Sequence, residues 1–253
     1  MSSAFLSRAM PVAIPADSLV VSMVENPKPA SSLPLHGRFD VCPTWLELAI
    51  RHLSDAQVAQ RERVAAWKGV DENSKAGALE WEFEASMQAI MASAIAFDAF
   101  CAAVQAKAQP PQSLIDQWRE KRLPRHVQIS EVLRNAFSLT AKEASNLRQN
   151  LGEIFRFRDL AIDPSAKSDA PILHPELRVG VEWRFAYFQC DNALLIVKAT
   201  VRLICELVAS RKPKDVDVQT YIDALRPRLE RLQNSSALRA QAVATDGHGD
   251  HEA

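Results

Sequence analysis

Apolar residues return at helical intervals through most of this chain, and the stretches between prolines predict helices. Over residues 75–108, Leu79, Phe83, Met87, Ile90, Met91, Ala94, Ile95, Phe97, Phe100, Cys101 and Val104 keep the helical period. The first half of that run carries Glu80, Glu82 and Glu84, which read as an exposed face. Its second half is apolar almost all round, as in the central helix of a bundle. Pro110-Pro111 stops it. An earlier helix is predicted over 44–70, with Thr44 as N-cap and Glu47 as its capping-box partner. Gly69 and the Asp71-Glu72-Asn73-Ser74 cluster end it. Short helices follow over 113–121 and, after Pro124, over 125–137. Thr140 and Glu143 read as a second capping box, opening a helix to 162 that turns Leu147, Leu151, Ile154 and Phe155 inward. Residues 163–180, with Pro164, Pro171 and Pro175, read as a loop. A long helix over 181–210 carries Asp191, Lys198, Arg202 and Glu206 as a polar stripe, and a last helical segment, 218–240, is kinked or broken at Pro227.

Pro11, Pro15, Pro27, Pro29, Pro34 and Pro43 exclude long helices from residues 1–43, leaving an irregular arm with one short strand candidate at 19–24. The arm, a helical domain over 44–240 and a disordered tail over 241–253 make up the predicted organisation. The fold class expected is an all-α helical bundle. At 253 residues the chain can bury a sizeable core, and its 7 glycines suit helices. Thirty basic side chains against 31 acidic ones give a net charge of −1. That balance excludes coating of nucleic acid by bulk charge but leaves room for a local basic cleft. Cys42, Cys101, Cys190 and Cys205 have no CxxC pairing and read as buried thiols. Residues 89–104 are apolar but too short for a bilayer and carry Asp98. The N-terminus has no long apolar core. A soluble, cytoplasmic protein without membrane contact is therefore expected. With no glycine-rich phosphate loop, G-x-S-x-G, H-E-x-x-H or zinc spacing, no cofactor or metal is expected.

The candidate chemistry lies in residues 155–164, Phe155-Arg156-Phe157-Arg158-Asp159-Leu160-Ala161-Ile162-Asp163-Pro164. An arginine, an adjacent aspartate and a further acidic residue fall where a helix gives way to a proline-rich turn. This layout resembles the motif of HEPN ribonucleases from bacterial toxin and defence systems: arginine, a polar neighbour, a short spacer, then histidine. Leu173-His174-Pro175-Glu176-Leu177 and Val181-Glu182-Trp183-Arg184-Phe185 are similar to the segment that follows in bacterial HEPN-like proteins. The resemblance covers roughly residues 44–210. It implies metal-independent RNA cleavage in a composite cleft of a homodimer, with an antitoxin or defence protein as a further partner. Arg158 then stands as the motif arginine, Asp159 as its polar neighbour and Asp163 in the histidine position, with Arg156 as an alternative arginine.

Chemically, a guanidinium offers a planar fork for two phosphate oxygens, and an imidazole can both take and give a proton near neutral pH. An aspartate near its reference pKa of about 4 does neither well and repels the phosphate. Impaired or absent cleavage is therefore expected. Asp163 has three open explanations: lost activity with retained binding, a silencing substitution, or replacement by His174. The plain alternative is a solvated helix face, since Arg156, Asp159 and Asp163 share one side of a helix. Asp98 would then pair with a buried arginine such as Arg158 as a strut. His174 would be a loop residue bonded to backbone. The whole domain would be a non-catalytic dimerisation or protein-binding module.

Overall fold

Helix-forming residues interrupted by prolines give an all-α bundle. The computed structural model describes residues 40–162, 170–210 and 212–239, together with four short strand segments in the arm. The chain divides into two units, Met1–Val41 and Cys42–Ala253. In the first, β1 (Val12–Ala13) pairs antiparallel with β4 (His36–Gly37), and β2 (Val20–Ser22) pairs with β3 (Ala30–Ser32). Only β2 falls in the apolar run that suggested a strand. The partner stretch Ala30-Ser31-Ser32 has weak strand propensity of its own and is recruited by pairing. Asp163 and the tail over 241–253 lie outside the described residues.

The second unit opens with α1 (Cys42–Ala66) and α2 (Glu72–Ala108), which pack along each other as a hairpin. The first helix begins two residues before Thr44, with Pro43 in the first turn, where a missing N–H costs least. Thr44 is therefore not its cap, and Glu47 accepts from Arg228 Nη2 at 3.2 Å instead. Asp71, expected only to end the first helix, caps the second: its carboxylate accepts from the N–H groups of Asn73 and Ser74.

Around α2 pack α4 (Arg125–Phe137), α5 (Ala141–Ile162), α7 (Cys190–Ser210) and α8 (Val216–Gln233), with α3 (Gln112–Glu120) ahead of α4. By length and composition α2 could cross a membrane, because the helix extends well beyond the apolar run at 89–104. Its Ile90, Phe97, Phe100 and Val104 are buried, however, in one cluster with Leu133, Leu151, Phe155, Phe188 and Ile204. It is the core helix of the bundle, and each fully buried phenylalanine stabilises it by about 1.5–3 kcal/mol. The Thr140–Glu143 box forms in both directions, Thr140 N–H to Glu143 at 2.9 Å and Glu143 N–H to Thr140 Oγ1 at 3.3 Å. All four cysteines are buried.

Two predicted elements change. Within the expected loop, β5 (Ile172–Leu173) pairs with β6 (Gly180–Val181). The helix predicted over 181–210 is broken into α6 (Trp183–Tyr187) and α7. Phe188 leaves helical geometry at φ −98°, ψ 51° and is fully buried. Glu182 caps α6 through the N–H of Arg184. Pro227 is accommodated inside α8, and a final turn of helix, α9 (Ser236–Arg239), follows.

Candidate functional site

The last turns of α5 alternate core anchors with charge. Phe155 and Phe157 are buried, which turns Arg156 outward on one side and Arg158 with Asp159 on another. The Arg158 guanidinium lies 4.4 Å from the centre of the Phe155 ring. Its Nε and Nη2 donate to Asp159 Oδ1 at 3.0 and 2.7 Å, and its Nη1 stands 3.6 Å from Asp98 Oδ2. The other oxygen of Asp98 accepts from Arg125 Nε at 2.6 Å. Asp98 is thus the strut expected of it, but it joins two arginines and ties α2 to both α4 and α5.

Arg158 is not sealed by this brace. Its side chain is 23% exposed and lines a groove of about 700 Å³ between the start of α4 and the end of α5. Arg125, His126, Arg156 and Asp159 line the same groove. His126 is the functional candidate that the sequence reading missed. Its ring rests against α5 where Gly152 has no side chain; a Cβ there would sit 3.9 Å from Cδ2 and Nε2. No side chain caps the α4 N-terminus behind Pro124, so the positive end of that helix faces the groove. The available signal was Pro124-Arg125-His126 at a helix start, weak without knowing that α5 lies beside it.

Electrostatically the groove is balanced. Arg125, Arg156 and Arg158 face Asp98, Glu153 and Asp159. An incoming anion must therefore exchange with a carboxylate. Asp159 is a well-exposed partner, and an exposed pair contributes about 0–1 kcal/mol, whereas an arginine–phosphate fork is charge-assisted and often bidentate. Arg156 binds Glu153 at 2.9 Å, and its guanidinium lies 4.7 Å from the Phe157 ring centre. Lys198 and Arg202 line a separate hollow with Leu195 and Gln233.

His174 does not line the groove. It is fully buried, and its Nδ1 accepts from the N–H groups of Glu176 and Leu177 at 3.3 and 3.2 Å. Burial pushes its pKa down to about 4; Arg63 adds to this and Glu176 opposes it. It is the backbone-bonded loop residue of the plainer reading.

Next to His174 lies a charge cluster with no clear signal in the sequence. Glu82, expected on an exposed face, is buried, and so is Arg63. Arg63 Nε donates to Glu82, and Arg63 Nη2 donates to Glu176 Oε2 at 2.6 Å. Glu82 also accepts the N–H of Cys190 at 2.9 Å, closing the first turn of α7. Burial acts against the charge of Arg63, yet Glu82 and Glu176 outweigh it and hold the guanidinium above its ordinary range. On Glu82 burial is the stronger influence and raises the acid despite Arg63. Asp191, predicted on a polar stripe, is drawn to this cluster: burial and then Glu176 raise its pKa, against a hydrogen bond from Gln60. The arrangement is a brace across α1, α2, the β5–β6 turn and α7. Burial pushes the Cys101 and Cys190 thiols up to about 12 and Cys205 to about 11, which keeps these three protonated near neutral pH.

No protein-family model, curated protein or solved structure matches this chain.

Proposed function

We propose that this chain is a HEPN-like helical domain of the metal-independent ribonuclease lineage, a cytoplasmic toxin or defence effector. Its α4–α5 groove binds RNA through Arg158, and its cleavage is strongly impaired. The observation that carries this is the accessibility of the Arg158 guanidinium on a groove shared with Arg125, His126 and an uncapped helix start. A phosphodiester displaces Asp159 from Nε and Nη2 and takes up the same fork. The lineage cleaves with a proton carrier at the position held here by Asp163. Losing acid–base assistance costs about 10²–10⁴-fold in rate. His126 is the imidazole on the groove among the described residues, so residual cleavage runs through it. Two copies related by a twofold axis would join their grooves into one cleft.

The test is an RNase assay of this chain beside Asp163→His, with Arg158→Ala in each background. Cleavage restored by Asp163→His and abolished by Arg158→Ala supports the reading. RNA left intact by Asp163→His, together with no Arg158-dependent binding, sinks it. A second reading, a non-catalytic dimerisation or protein-binding module, draws on the carboxylate already paired with each groove arginine. It predicts dimers that do not bind RNA even at low salt.

A further inference from the structure

We infer that the surface where α6 meets α5 is a base-stacking extension of the groove, and that the RNA it takes is single-stranded. This rests on the reading that the groove grips a phosphodiester. Arg156 is the hinge, because it lines the groove and its guanidinium also lies 6.0 Å from the Tyr187 ring centre. From there the rings continue outward. Tyr187 meets Trp183 edge to face at 5.7 Å, and the Arg184 guanidinium lies 4.6 Å from the Trp183 ring.

One side of α6 is anchored: Ala186 is buried and Phe185 packs on Phe83 with ring centres 5.3 Å apart. The other side carries Tyr187, 37% exposed, and Trp183, which is half-buried and packs in part against the core. A short helix held by its apolar side thus displays the Tyr187 ring beside the half-buried Trp183, with a guanidinium against each. That combination stacks unpaired bases, whose faces a duplex keeps hidden.

Charge points the same way. Arg156 and Arg184 are each matched by a carboxylate, Glu153 and Glu182. Affinity at this patch therefore comes from ring faces rather than from net positive charge, and it should vary little with salt. The groove beside it supplies the salt-dependent grip on phosphate.

Fluorescence anisotropy on the full chain tests this with three probes: a short labelled single-stranded RNA, its duplex, and an abasic ribose-phosphate strand of equal length. Wild type should bind the single strand tightest. A Trp183→Ala/Tyr187→Ala variant should lose about 10- to 100-fold for the single strand with its salt slope unchanged. It should bind the abasic strand like wild type. Trp183→Phe/Tyr187→Phe, which keeps the rings, should retain most affinity. Arg158→Ala should weaken every probe and flatten the salt slope. Equal wild-type affinity for duplex, abasic and single strands overturns the inference without any variant. So does unchanged single-strand binding by the double alanine variant while Arg158→Ala weakens it; that result leaves the groove reading standing. Absence of Arg158-dependent binding to any probe ends both.

Discussion

Replacing Arg63 with methionine tests what holds the bundle together. The side chain keeps its length and loses its charge. Arg63 has no exposed surface, and it faces Glu82, almost wholly buried, and Glu176, which retains some contact with solvent. Without it, Glu82 keeps only the Cys190 N–H, and no arginine remains between Glu82, Glu176 and Asp191. Breaking a buried pair by removing one partner costs about 3–5 kcal/mol. A second route gives a similar figure. The stranded Glu82 can escape by taking up a proton, which from a reference pKa near 4.3 costs about 3–4 kcal/mol at neutral pH. That escape caps the penalty, and the already raised acid of Glu82 places it toward the lower end. Glu176 can turn to water and adds little. A loss of about 3 kcal/mol is large against a typical domain stability of about 5–15 kcal/mol.

The assay is urea denaturation followed by circular dichroism at pH 7.5 and pH 5. The loss should be near 3 kcal/mol at pH 7.5 and smaller at pH 5, where protonation is easier. The double variant Arg63→Met/Glu82→Leu should recover most of it, because removing both charges of a buried pair is often neutral or stabilising. A single-variant loss below about 1 kcal/mol at pH 7.5, or a double variant as damaged as the single one, would refute the assignment of the cluster as a brace.

Four further outcomes follow from the same geometry. For His174, the native state stays neutral down to about pH 4 while the unfolded state protonates near 6.5; its contribution is present above 6.5 and lost as pH falls toward 4. The stability advantage of wild type over His174→Gln should shrink over that window by up to about 3 kcal/mol, a difference that cancels the opposite-signed contribution of Glu82; a flat difference contradicts it. Asp159→Asn removes the carboxylate competing for Arg158 and should tighten RNA binding by about 2- to 5-fold in anisotropy titrations. His126→Ala should abolish whatever cleavage the chain retains, read against Arg158→Ala as the zero. Thr140→Ala should cost about 1 kcal/mol in thermal or urea melts by opening the α5 cap.

Local physics was legible in the sequence. Helices are closed by bonds between residues four apart, so periodicity and prolines located α4 at 125–137 and ended α2 at Pro110-Pro111. The Thr140–Glu143 box spans one turn and could be read directly. Asp98 inside an apolar run announced a need for a cationic partner, because a carboxylate partly withdrawn from water is costly unless paired. It did not announce that two arginines would answer.

What escaped were features made by residues distant along the chain. Glu82 sits among glutamates and looked solvated; Arg63 and the Cys190 N–H, 19 and 108 positions away, made its burial tolerable. The same contact starts α7 at Cys190, just after the break at buried Phe188, where periodicity alone continued one helix. His126 carried only the weak signal of a helix start until α5 passed beside it and Gly152 left room for its ring. The sequence by itself therefore determined which segments coil and which faces are apolar. Only the packed bundle decided which charges are buried, where α6 and α7 part and which residues share the groove, because a charge's desolvation is set by whatever surrounds it in space.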